Sequence, residues 1–160
     1  MQVVITGGAG FLGARLARTL LATGRLSLAG APAETISRIT LVDRVAPPAD
    51  LAGDARIAVA LGDLNDQLAA PGAAPWREAA VIFHLAAAVS GECEADFDLG
   101  MRSNFAATHA LLEKARALGT RPLLVFASSL AVFGDSPEQP LPPVIEDHTL
   151  PTPQTSYGIQ

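Results

Sequence analysis

Five short apolar runs divide the chain: Val3–Thr6, Ile39–Asp43, Ile57–Leu61, Val81–Leu85 and Leu123–Ala127. Their apolar residues are successive rather than alternating. Strands covered on both faces read this way, and such strands belong mostly to parallel sheets. Helical spacing fills the gaps. Leu12, Leu16 and Leu20 recur at every fourth position, and Gly24 is placed to end that helix. Met101, Phe105, Thr108, Leu111, Leu112 and Ala115 trace a second helical face that stops at Gly119. Leu64–Ala70 reads as a short helix broken by the proline-containing segment 71–75. Strands alternating with helices predict an α/β fold with a doubly wound parallel sheet.

Two segments resist the pattern. Gly24–Ile36 is long for a helix-to-strand connection and has room for an extra turn or a surface loop. Pro137–Pro153 is proline-rich and aperiodic, and is expected as an ordered loop over the sheet, with a disordered tail as the alternative.

Composition narrows the classes. The 160 residues suffice for one cored domain, and a hydrophobic content of 49% argues against disorder. A net charge of −5 and the lack of a basic run argue against a nucleic-acid partner. Cys93 is the one cysteine, so no internal disulfide framework is available and a reducing compartment is expected. No apolar run approaches the roughly 20 residues needed to span a bilayer, and the start "MQVVIT" has no basic leader. No membrane partner is expected; the expected location is cytoplasmic.

The stretch "VVITGGAGFLGARL" contains Gly8-x-Gly10-x-x-Gly13 and, overlapping it, Gly7-x-x-Gly10-x-x-Gly13. It follows the first strand and opens the first helix, which is the context a phosphate-binding turn requires. Its glycines let the chain turn sharply and bring a pyrophosphate to the first amides of the helix, at Phe11 and Leu12, where the helix dipole favours negative charge. Asp43, closing the second strand, is placed to accept hydrogen bonds from ribose hydroxyls and to repel a 2′-phosphate, which favours NAD over NADP. Arg44 beside it has the opposite preference, and Asp43 has the alternative of capping a strand end. After the third strand, Asp63 stands where it can accept the adenine amino group, with Leu64 against the ring. After the fourth, Ala86–Ala88 leave room for a cofactor across the strand ends, with Leu85, Ala86 and Ala87 as the expected cofactor contacts. His84 is expected to be a packed strand-end residue. With His109 and His148 it has no metal-ligand spacing, and no metal is expected.

Together, "TGGAGFLG", "GDLND", "HLAA", "SSLAVFG" and "SYGIQ" resemble the extended short-chain dehydrogenase/reductase family, which contains the NAD-dependent epimerases and dehydratases. Within it, "HLAAAVSGECEADFDLG" and "LPTPQTSYG" look most like the branch that oxidises the sugar acid D-erythronate. The resemblance covers the whole chain and implies a Rossmann-type NAD-binding domain over residues 1–160, without the later strands and the substrate region. It implies a catalytic hydroxyl on Ser129, with Ser128 behind it. Asn104 falls at a helix asparagine that supports the site, and Tyr157 at the tyrosine of Tyr-x-x-x-Lys. Phe133 stands where a tyrosine is more common. The implied partners are a small-molecule substrate and a second copy of the chain.

The implied chemistry suits these residue types. Alcohol oxidation needs a base for the hydroxyl proton while hydride leaves for the nicotinamide. A free tyrosine, with a pKa of about 10, is phenolate in only about one molecule in a thousand at neutral pH. A lysine about 4 Å away favours the phenolate by roughly 4 kcal/mol at an effective dielectric near 20. That lysine would occupy position 161, one beyond the last residue given. The expectation is therefore a fragment of a longer enzyme, with weak NAD binding and no turnover of its own. Ser90 and Arg102 are placed as substrate contacts, and the carboxylates of "GECEADFDLG" as a solvated loop. The alternatives are a nucleotide-sugar epimerase or dehydratase, and a non-catalytic dinucleotide-binding domain.

Overall fold

The computed structural model describes residues 1–72 and 74–160. In chain order the elements are β1 (Gln2–Thr6), α1 (Phe11–Thr23), β2 (Arg25–Leu26), β3 (Glu34–Thr35), β4 (Arg38–Asp43), α2 (Ala49–Ala52), β5 (Ile57–Leu61), α3 (Leu64–Ala69), β6 (Ala79–His84), α4 (Ser90–Ala95), α5 (Phe97–Gly100), a π-helical turn (Met101–Ala106), α6 (Ala107–Leu118), β7 (Leu123–Phe126), a 3₁₀ turn (Leu130–Val132) and α7 (Ser156–Ile159). The chain divides into two compact units. One comprises Met1–Ala86 with Ala106–Ala127, the other Ala87–Phe105 with Ser128–Gln160.

The first unit contains the sheet. Its five strands run parallel in the order β5-β4-β1-β6-β7, and the five apolar runs of the sequence are its strands. Successive side chains of a strand point to opposite faces, and the core divides accordingly. Val3, Ile5, Ile39, Leu41 and Val81 pack under Ala14, Ala17 and Leu20 of α1. Val4, Val42 and Ile82 pack with Leu68 of α3, Trp76 and Leu111 of α6. The sheet is covered on both faces, in the doubly wound, Rossmann-like arrangement.

Burial is concentrated in the central strands β4, β1 and β6. Val59 and Leu61 of the edge strand β5 are exposed, as are Leu123, Val125 and Phe126 of β7, so the continuous burial expected of all five runs is corrected at both edges. An edge strand lacks one neighbour, and an apolar run does not reveal that.

Both helical faces also differ from the leucine stripes. On α1 the buried positions are Gly13, Ala14, Ala17 and Leu20, while Leu12 is exposed. Small residues let the helix axis approach the sheet beside the glycine turn, where Leu12 is left exposed while Leu16 and Leu21 pack at the margin of the core. On the second helix the buried positions are Asn104, Ala107 and Leu111, while Phe105 and Leu112 are exposed. The π-helical turn widens the backbone by one residue and breaks the period before α6 begins. Gly24 and Gly119 end their helices in the left-handed conformation, as expected.

The long connection Gly24–Ile36 forms neither a helical turn nor a plain loop. β2 and β3 pair there as an antiparallel ribbon, Arg25 opposite Thr35, and Ile36 enters the core. The breaker after α3, at 71–75, includes position 73, which lies outside the described residues.

The second unit is built from short pieces. α4 and α5 follow each other directly, and the segment between the 3₁₀ turn and α7 is irregular. That segment is tied back within its unit: the Thr152 amide donates to the Val132 carbonyl (2.9 Å), and the Thr152 hydroxyl donates to the Gly134 carbonyl (2.7 Å). It is thus an ordered loop. Among the described residues no helix is long and apolar enough to cross a membrane.

Candidate functional site

The glycine turn sits at the C-terminal end of β1, as the motif requires. Gly7 has φ +68°, and a Cβ there would lie 2.9 Å from the Ala86 nitrogen. At Gly13 a Cβ would lie 2.1 Å from the Gly7 carbonyl oxygen, inside any tolerable contact. Glycine is thus required by a positive φ at the first position and by backbone approach at the second. The Gly7 and Gly8 amides donate to the Val42 carbonyl at 2.9 and 3.3 Å, which fixes the turn to the end of β4.

Asp43 completes that attachment. Its Oδ2 accepts from the Ala9 amide (2.9 Å) and its Oδ1 from the Val45 amide (3.3 Å). The carboxylate is half-buried between turn and strand end, so Asp43 has the capping role weighed for it. The Ala9 amide leaves lone pairs on both oxygens for further donors. Gly10 precedes α1 without a side-chain cap, and the first turn of the helix, from Phe11 and Leu12, carries no acidic residue of its own.

Asp63 has a local partner. Its Oδ1 accepts from the Asn65 amide (2.9 Å) and caps α3, with Leu64 half-buried beside it. Leu85 and Ala86 pass directly against Gly7. Behind them lies a set of groups that apolar patterning did not bring together. The Thr6 Oγ1 accepts from the Leu85 and Ala86 amides (3.2 Å each) and lies 2.7 Å from His84 Nδ1. On its other side, His84 Nε2 is 2.9 Å from the Thr108 hydroxyl. His84 is buried, and burial lowers its pKa from 6.5 to about 4, so it is neutral near pH 7. The expectation of a packed strand-end histidine holds. The available signal for the set was a polar residue closing each of two neighbouring apolar runs, Thr6 and His84.

The second unit gathers the residues implied by the resemblance. Asn104, on the π-helical turn, clamps the Ala88 peptide: its Oδ1 accepts from the Ala88 amide (2.8 Å) and its Nδ2 donates to the Ala88 carbonyl (3.1 Å). The same Nδ2 reaches Cys93 Sγ at 3.4 Å, and burial raises the Cys93 thiol pKa. Asn104 therefore holds the segment that begins at Ala87. Ser129 caps the 3₁₀ turn, its Oγ accepting from the Ala131 amide (3.2 Å). α7 lies against that turn, since a Cβ on Gly158 would be 2.1 Å from the Ala131 carbonyl oxygen. This brings the Ser129 turn and the Tyr157 helix together. Tyr157 is half-buried; its amide donates to Glu94 Oε1 (3.0 Å), and the Ser156 hydroxyl donates to the Cys93 carbonyl (3.1 Å).

The acidic stretch is corrected in one respect. It folds into α4 and α5, and three of its four carboxylates bind backbone: Glu92 accepts from Val89 (3.2 Å), Glu94 from Tyr157, and Asp96 from Leu99 (2.9 Å). Among the described residues no cluster of potential metal ligands occurs. Ser90 is exposed at the first position of α4, and Arg102 is exposed on the π-helical turn.

Comparison with known proteins gives a consistent set of relatives. The model of the NAD dependent epimerase/dehydratase family matches residues 3–160. The D-erythronate dehydrogenase of Cupriavidus necator is 53% identical over the whole chain, which covers 47% of that enzyme. A nucleoside-diphosphate-sugar epimerase from Agrobacterium tumefaciens is 40% identical in a crystal structure, with a TM-score of 0.78 over 99% of this chain and 45% of its own. The UDP-glucose 4-epimerase of Thermus thermophilus, crystallised with NAD, is 27% identical with a TM-score of 0.73, over 99% of this chain and 47% of that one. The chain spans about half the length of the curated relatives it matches.

Proposed function

The chain belongs to the NAD dependent epimerase/dehydratase family, and on that premise we propose that it carries the dinucleotide-binding part of an NAD-dependent dehydrogenase of small sugar acids, D-erythronate or a close analogue. The 53% identity to a D-erythronate dehydrogenase along the whole chain carries this reading.

The residues fit the cofactor. The glycine turn, packed so tightly that a Cβ on Gly7 or Gly13 would overlap neighbouring backbone, is a cradle with an uncapped helix end beside it, suited to a pyrophosphate. Asp43 would accept the ribose hydroxyls and disfavour a 2′-phosphate, and Asp63 would face the adenine. NAD when bound supplies the hydride acceptor. Tyr157 Oη would take the proton of the substrate hydroxyl, and Ser129 Oγ would hold that hydroxyl and stabilise charge on its oxygen. Asn104 acts through Ala88 as a positioning residue. Ser90 and Arg102 are the proposed contacts to the hydroxyls and carboxylate of the acid.

Exposed Phe105 and Leu112 support pairing with a second copy, which a light-scattering mass would check. The deciding experiment takes the product of the full reading frame that encodes these residues. NAD reduction with D-erythronate, lost in Tyr157→Phe and Ser129→Ala, is the expected result. Conversion of nucleotide sugars without net NAD reduction would replace this reading with that of an epimerase.

A further inference from the structure

The hydroxyl of Thr6 closes the last turn of β1, and its three neighbours determine its hydrogen. A hydroxyl has one proton to give and two lone pairs to accept with. The Ala86 amide donates to Thr6 Oγ1 at 3.2 Å, and the Leu85 amide shares its proton between that oxygen and the Thr6 carbonyl, both at 3.2 Å. With its acceptor capacity taken, Oγ1 must donate to the third neighbour, His84 Nδ1, at 2.7 Å. Nδ1 is then an acceptor, and the neutral ring carries its proton on Nε2, which donates to the Thr108 hydroxyl at 2.9 Å. The tautomer of a buried histidine is thus set by the strand on one side and by α6 on the other, and the ring is covered by Phe126 at a centroid distance of 5.8 Å.

The far end of this chain of hydrogen bonds is the backbone that meets the glycine turn. A Cβ on Gly7 would lie 2.9 Å from the Ala86 nitrogen and 2.9 Å from the Leu85 carbonyl carbon. A small rotation of the Leu85–Ala86 peptide would therefore move the floor of the cradle. We propose that Thr6 and His84 are positioning residues of the dinucleotide site: His84 orients the Thr6 hydroxyl, and that hydroxyl holds the Leu85 and Ala86 amides against Gly7. The effect on the cofactor rests on the proposed dinucleotide-binding function; the hydrogen-bond chain itself does not.

The test has two arms for that reason. In the first, ¹⁵N NMR of the histidine rings in the unliganded protein should show Nδ1 as the unprotonated nitrogen and Nε2 as the protonated one. A proton on Nδ1 would overturn the proposal. In the second, NAD is titrated against the native protein, Thr6→Val and Thr6→Ser. Thr6→Val removes the hydroxyl at nearly constant shape and should weaken NAD binding about tenfold, while Thr6→Ser should stay within about threefold of native. A merely structural role would not show rescue by serine, and equal affinity in Thr6→Val would overturn the proposal. If Thr6→Val does not fold, Thr108→Val cuts the chain at its other end. It should raise the Nδ1-protonated fraction, and an unchanged tautomer would count against the relay. If the native protein binds no NAD, the dinucleotide reading fails, and amide exchange decides the relay: Leu85 and Ala86 should exchange at least about tenfold faster in Thr6→Val, and unchanged exchange would overturn it.

Discussion

The sheet unit and the second unit solve the same problem, holding loop backbone in place, with a different balance of close packing and side-chain hydrogen bonds. In the sheet unit the glycine turn is held by close approach: Gly7 against Ala86, Gly13 against the Gly7 carbonyl, and two amides on one carbonyl at the end of β4. Space there is so limited that residue identity follows from it. In the second unit, side-chain hydrogen bonds to backbone carry the load, with Asn104 on Ala88, Ser129 on Ala131, Glu94 on Tyr157 and Asp96 on Leu99. Regular packing fixes backbone by shape, whereas irregular chain must be fixed by polar groups that each satisfy a buried or turning amide.

If that contrast is right, one substitution should behave differently in the two units. Gly13→Ala puts a Cβ 2.1 Å from the Gly7 carbonyl oxygen, so the turn or the helix must move. The expected loss is about 3 kcal/mol or more by urea denaturation, together with any NAD binding.

Acidification tests the sheet unit from its interior. The pKa of His84 is lowered from 6.5 to about 4 in the folded chain because burial disfavours the imidazolium. Between these values the unfolded chain binds a proton that the folded chain refuses. Stability from this group is therefore full above about pH 6.5 and falls as pH approaches 4, by about 3 kcal/mol in total. Thermal midpoints measured across that range should show the slope, and His84→Asn should flatten it.

Asn104→Leu is the corresponding test of the second unit. It removes the partner of the buried Ala88 amide and leaves the Ala88 carbonyl only the Cys93 thiol at 3.6 Å, and should cost about 2 kcal/mol. Faster amide exchange at Ala88 would check it. The smallest effect is expected at Gly91, where a Cβ would meet nothing within 4 Å. Gly91→Ala within α4 should be neutral or should stabilise by a few tenths of a kcal/mol, read from the same urea curves as Gly13→Ala.

The same contrast explains what was legible in the sequence. All five sheet strands could be read from apolar runs, because burial on both faces leaves an unbroken signal in β4, β1 and β6 and enough of one in the edges. The glycine turn was legible because its spacing reflects backbone contact. The face of α1 was not. Leu12, Leu16 and Leu20 look like a stripe, yet Leu12 is exposed and the helix turns Ala14 and Ala17 inward beside Leu20, since distance to the sheet decides which side chains fit. The π-helical turn at Met101–Ala106 left no mark in the period. The capping carboxylates of α4 and α5 read as a solvated cluster because capping depends on turn geometry rather than on composition. For Ser129, Tyr157 and Asn104, the family resemblance pointed to positions that periodicity does not single out.

On the proposed reading, the glycine turn and Asp43 form a grip for NAD. Calorimetric titration of the native protein and of Asp43→Asn with NAD and with NADP tests it most directly. The native protein should bind NAD at least about tenfold more tightly than NADP, and Asp43→Asn should narrow this gap. NADP binding as tightly as NAD to the native protein would contradict it.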